Sequence, residues 1–179
     1  MVLHPCGRVG RRLVFYSEPS TDGSLFFFYF FTISRIILRY PNAMNKEERI
    51  EYWLSIADYD LETAEAMYST GRWLYVAFMC HQVIEKTLKA FWCATQEEEP
   101  PYIHSHKRLA AGSGLYGMMS EQQKDFLNTV STYNIEARYP ETKDAIARRL
   151  NKDACRYIIN QTKALQIWIK EQLSLAARQ

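Results

Sequence analysis

Residues Arg72 to Gln96 read RWLYVAFMCHQVIEKTLKAFWCATQ. Trp73, Val76, Ala77, Cys80, Val83, Ile84, Leu88 and Phe91 recur at three- and four-residue steps, so one helical stripe carries them all. His81, Gln82, Glu85, Lys86 and Lys89 fall on the other side. A helix divided in this way packs against several neighbours and can aim its polar groups at a groove between them. The stretch is therefore expected to be the central helix of a bundle, and its ionisable face is the main functional question.

The helix before it runs from about Lys46 to Ser69. Ile50, Trp53, Leu54, Ala57, Leu61, Ala64 and Tyr68 keep the helical period, and Glu47, Glu48 and Glu51 stand where the macrodipole favours acids. Gly71 suits a helix C-terminus, so the link to the central helix is tight and the two helices are expected to lie antiparallel. Downstream, Pro100-Pro101 forces an extended path. The following loop concentrates His104, His106, Lys107 and Arg108, with a short helical turn expected over Lys107 to Ala111. His104 and His106, as alternate residues of an extended segment, are expected to be accessible and to reach the same side. Ser120 and Gln123 form a capping-box pattern. They open a helix carrying Phe126, Leu127, Val130, Tyr133, Asn134 and Ala137, which is expected to stop near Tyr139 because Pro140 restricts the residue before it. Residues 141–150 are polar and compatible with a helix. A last helix, about Asn151 to Ala176, presents Ala154, Cys155, Ile158, Thr162, Leu165, Trp168, Ile169 and Leu173 to the core. No alternating strand pattern occurs after Met44. The fold class is all-α, an antiparallel up-and-down bundle of four to five helices.

Two units are expected: residues 44–179 as the bundle, and residues 1–43 as an accessory or mis-assigned hydrophobic extension. The extension holds LFFFYFFTISRIIL, Leu25 to Leu38, interrupted by Arg35 and preceded by Arg8, Arg11 and Arg12. Fourteen helical residues span about 21 Å, short of the roughly 30 Å hydrocarbon core. No small-x-small cleavage site follows the run, so a secretory leader is not favoured either. Met44-Asn45-Lys46-Glu47-Glu48 has the look of a protein start that leads directly into a helix. No membrane association is expected for residues 44–179.

The 179-residue chain carries a formal charge of +2, but residues 44–179 contain 17 basic and 18 acidic side chains. A near-neutral domain argues against a broad nucleic-acid face, which needs a clustered excess of Lys and Arg. Cys6, Cys80, Cys93 and Cys155 show neither CxxC nor zinc-finger spacing, so they read as thiols of a cytoplasmic protein, and neither a metal nor another cofactor is expected.

Trp53, Ala57, Asp60-Leu61 and Ala64, Gly71 before an aromatic start, His81-Gln82-x-x-Glu85-Lys86-x-Leu88-Lys89-Ala90, and Ala137-Arg138-Tyr139-Pro140 together resemble the prokaryotic HEPN domain. The similarity extends over about Glu48 to Leu173. It implies a helical homodimer that works beside a minimal nucleotidyltransferase, as a nucleotide-binding module or half of a toxin-antitoxin pair. Ribonuclease members of that family carry an Arg followed, after four to six intervening residues, by a His. Arg138 has no such His, so the chain is expected not to be catalytic alone.

Cleaving RNA without a metal needs a base for the 2′-hydroxyl and a cation for the developing phosphorane charge. Here those roles would fall to Arg138 with His104 or His106, which defines the alternative of a ribonuclease toxin with a non-standard site. The expected ligand-binding set is Lys86 and Lys89, one helical turn apart, with His81, Glu85, Arg138 and Tyr139. Its ligand would be a nucleotide or RNA. His81 and Glu85, at i and i+4, could also ligate a metal or pair as base and orienting acid, although a partly buried hydrogen-bonded His is the plainer reading. A third possibility is a substrate-positioning subunit of a two-chain nucleotidyltransferase.

Overall fold

The computed structural model describes residues 44–134 and 149–176. These form five α-helices: α1 (Lys46–Ser69), α2 (Trp73–Thr95), α3 (His106–Gly112), α4 (Glu121–Ser131) and α5 (Lys152–Ala176), with a 3-10 turn at Leu115–Met118 between α3 and α4. No strand occurs among the described residues. The bundle is all-α, as the periodicity predicts. No helix among them is long and apolar enough to cross a membrane.

Local chemistry sets the ends. Asn45 Oδ1 accepts from the Glu48 amide while the Glu48 carboxylate accepts from the Asn45 amide, a reciprocal cap that starts α1. Gly71, at φ 70°, turns the chain immediately after α1. Ser120 and Gln123 cap α4 in the same reciprocal manner, and Asn151 Oδ1 accepts from the Ala154 amide at the start of α5.

Helix α2 packs against all four other helices. Lys86 meets Asp60 while Lys89 lies over Trp53 and Trp73 lies against Tyr68, so α1 and α2 run antiparallel. Glu65 reaches Arg156 and Lys163, whereas Asp58 reaches Gln166 and Lys170, so α5 also runs against α1. It follows that α5 runs in the same direction as α2, consistent with Cys155 beside Trp73. Ala57 and Ala64 on α1 and Ala77 on α2 are fully buried small residues, which let the helices approach closely.

Two expectations change. Helix α4 ends at Ser131, well before Tyr139. The Thr132 amide turns to the carbonyls of Thr129 and Val130 and its hydroxyl donates to the Thr129 carbonyl, so local bonds close the helix where β-branched residues cluster. Helix α2 also has no solvated face: His81, Glu85 and Lys89 are as buried as Val83 and Leu88. Cys80, Cys93 and Cys155 are buried free thiols, and burial pushes the Cys80 thiol up to about 12. The segments 1–43 and 135–148, the latter holding Ala137, Arg138, Tyr139, Pro140 and most of the polar stretch 141–150, lie outside the described residues.

Gly112 ends α3 directly against the Trp92 ring, and a Cβ there would overlap the ring. Trp92 is held by its Nε1–H, which donates to the Glu98 carbonyl at 3.0 Å. Gly112→Ala should therefore destabilise the bundle by about 1–3 kcal/mol, as overpacked sites do, measured as a lower denaturation midpoint in urea with an unchanged slope.

Candidate functional site

The polar residues of α2 gather around one carboxylate. His81, Glu85 and Lys89 are spaced at i, i+4 and i+8, so they stack along one side of the helix. Glu85 Oε1 accepts from Lys89 Nζ at 2.7 Å. Its Oε2 faces His104 Nδ1 at 2.9 Å and His81 Nε2 at 3.4 Å. The other edge of the His81 ring, Nδ1, lies 3.1 Å from the Val130 carbonyl of α4. Because a carbonyl only accepts, Nδ1 carries the proton in that bond.

His106 completes the cluster. Pro100-Pro101 keeps the chain extended after α2, and the Ile103 amide bonds back to the Pro101 carbonyl at 2.8 Å. Ser105 then caps α3, which makes His106 its first residue. From there its ring stacks on His81, with centroids 4.2 Å apart and planes at 30°. His81 and His106 are both 0% exposed, while the His104 side chain is 56% exposed. One extended segment would have left both loop histidines accessible. Helix α3 begins between them instead, so only His104 faces solvent.

The two lysines have separate settings. Lys86 Nζ donates to Asp60 Oδ2 of α1 at 2.5 Å and to Gln82 Oε1 at 2.9 Å, while Lys89 turns to Glu85 and the Trp53 ring. Each is committed to its own carboxylate. The structure thus brings together His81, Glu85, Lys89, His104 and His106, and sets Lys86 apart on the α1 side. Arg138 and Tyr139 lie outside the described residues. Asp60, Trp53 and Val130 entered the sequence reading through helical stripes or the family resemblance, not as site residues. The spacing of Trp53, Ala57, Asp60 and Ala64 on one α1 stripe was the available signal for Asp60.

The environment sets the charge states. Burial alone would raise the Glu85 carboxyl, but the hydrogen bond with His104, the adjacent His81 ring and the positive charge of Lys89 outweigh it and hold the group well below the usual carboxylate range. Burial, reinforced by His81, drives His106 well below an ordinary histidine. Asp60 moves the other way: burial raises it, and Lys86 offsets only part of that rise. An ionised Glu85 beside His104 has the geometry of a base and its orienting acid. His81 and His106 present no surface to solvent.

Both depressed groups predict loss of stability in acid. The unfolded chain takes up a proton at His106 near pH 6.5 while the folded chain does not, so stability begins to fall as pH drops below that value. The contribution of Glu85 is present above about pH 4.5 and is lost as pH falls further through its folded pKa. Urea unfolding in chelating buffer should give a free energy that declines between pH 7 and 5 and more steeply below pH 4.5. His106→Gln should flatten the first segment alone.

Comparison with known folds and sequences follows the same outline. The protein TT1696 from Thermus thermophilus superposes with a TM-score of 0.59 at 22% identity, over 69% of this chain and 97% of its own. An archaeal HEPN homologue, ST0689, gives 0.54 at 21% identity, over 69% of this chain and 97% of its own. These likenesses establish the fold. No curated protein matches the sequence. Residues 50–172 match the family model of the HEPN domain, which spans α1 to α5 and encloses the whole Glu85 cluster. The chain belongs to the HEPN domain family.

Proposed function

We propose that the protein is a HEPN-type nucleotide-binding and interaction module, dimeric, acting with a minimal nucleotidyltransferase in the cytoplasm and performing no chemistry by itself. The observation that carries this reading is the internal balance of the polar cluster. Lys86 and Lys89 are matched by Asp60 and Glu85, and the His81 and His106 rings are buried. A reaction centre needs a base that its substrate can touch. Here most of the ionisable groups position helices.

Pairing with a second copy is supported by α5. Tyr157, Ala164, Ile167 and Leu175 follow each other along its outward side, and Tyr157 and Ile167 are 61% and 57% exposed. Such a stripe suits an interface better than it suits water. For a nucleotide, the described residues at hand are the exposed His104, Lys107 and Arg108 at the entry to α3, and Arg138 and Tyr139 are further candidates from the sequence. Lys107 is steadied 5.6 Å above the Tyr116 ring. One observation favours the second reading, a metal-independent ribonuclease toxin: His104 is exposed and oriented by Glu85, as a general base would be.

The test uses the purified chain with total RNA and with a nucleotide panel. A ligand bound only by the folded form at a hundredfold excess over its Kd adds about 2.7 kcal/mol. The expected result is a nucleotide-dependent rise in melting temperature, intact RNA, and co-purification with a co-expressed nucleotidyltransferase. RNA cleavage that disappears in both His104→Ala and Arg138→Ala would replace this reading with the toxin.

A further inference from the structure

The His81 ring has a conflict on its inner edge. Its Nδ1–H is used by the Val130 carbonyl, so a neutral ring turns the Nε2 lone pair toward Glu85 Oε2, 3.4 Å away. Two lone pairs facing each other inside a protein call for a cation between them. Beside them lies a second incomplete group. His106 is 0% exposed, and although the backbone of His81 and of Leu127 lies beside its ring, neither Nδ1 nor Nε2 makes a hydrogen bond of acceptable geometry. A buried polar atom in that condition normally has a partner. Ligand atoms of His81, Glu85 and His106 all lie within 4.8 Å of one another.

We propose that His81, Glu85 and His106 form a binding site for a divalent transition metal of the zinc class. Two imidazoles and one carboxylate are the donor set that suits zinc, cobalt or nickel, whereas magnesium and calcium prefer oxygen alone. The surrounding contacts have the form of an outer shell. The Val130 carbonyl fixes the tautomer of His81 so that Nε2 is the ligating atom. Lys89 holds Glu85 Oε1, which leaves Oε2 for the metal. His104 stands outside that group of three, but with Nδ1 2.9 Å from that oxygen and its ring open to solvent it swings in as the fourth ligand and marks the side from which the ion enters. Ligands at about 2.0–2.1 Å in a tetrahedron stand roughly 3.4 Å apart, so the cluster closes on the ion through a turn of the His106 ring. The absence of a CxxC pattern does not bear on this site, because its ligands come from a helix face and a loop.

The untagged full chain, stripped with chelator, is titrated with Co2+ and then Zn2+. One equivalent of Co2+ should produce visible ligand-field bands that Zn2+ abolishes, with a rise in melting temperature. His81→Gln and His106→Gln should each weaken Co2+ binding by at least about tenfold, since even outer-shell losses in metal sites cost that much. His104→Ala should shift the bands and keep the binding. Zinc-edge X-ray absorption on the wild-type chain, which needs no variant to fold, should show imidazole scattering from at least two rings and no sulfur. No bands and no thermal shift at ten equivalents of Co2+ would overturn the site, and so would sulfur ligation or bands unchanged in both folded glutamine variants.

Discussion

A carboxylate in the middle of the most buried helix is the constraint on which the rest of this structure turns. Glu85 is 3% exposed, and an unpaired charge at such depth costs several kcal/mol, while losing one partner of a buried pair costs about 3–5 kcal/mol. Lys89 cannot satisfy both oxygens. The second one draws His104 back from the loop and holds His81 toward it, and His81 in turn fastens α4 through the Val130 carbonyl. Three parts of the chain, α2, the loop after Pro101 and α4, are thus tied to one atom pair. The loop after Pro101, which no strand or long helix supports, takes its position from this polar anchor as well as from the burial of Leu109 and Ala110.

The outer ion pairs do a different task. Glu65 with Arg156 and Lys163, and Asp58 with Lys170, link α1 to α5 near solvent. Pairs of this kind contribute about 0–1 kcal/mol each. They register one helix against another without deciding whether the bundle forms. Arg156 adds a cation–π contact, its Cζ 3.9 Å from the Tyr68 ring centroid.

The helices were legible because their apolar residues repeat and their ends carry chemistry that acts locally. Lys46 to Ser69 emerges as expected, bounded by Asn45 and Gly71. Helix α4 was not bounded correctly: Pro140 marks where a helix must have stopped, not where it does stop, and threonine side chains ended it sooner. The site was legible by residue and not by arrangement. His81, Glu85, Lys89, His104 and His106 stood out as ionisable groups near one another in sequence. Hydropathy assigns such residues to solvent, and only the tertiary partners on α1, α3 and α4 reveal that they are interior. Lys86 and Lys89 show the limit of helical spacing. One turn apart on α2, they separate because Asp60 stands on one side and Glu85 on the other.

Stacking His106 on His81 brings the problem to a point. An apolar residue at the start of α3 would fill the same volume without bringing two ring nitrogens into a place where neither is well bonded. The two lone pairs facing each other between His81 and Glu85 can be reconciled by a proton or by a metal ion. A proton on Nε2 answers that pair and leaves His106 as it is. A metal answers all three residues together, because it accepts a lone pair from each ring and one from the carboxylate, and it turns the strain of two stacked, partly unbonded imidazoles into coordination. The same cluster that anchors these three segments would then depend on an ion for its full rigidity, so the bundle's stability and its metal content would rise and fall together.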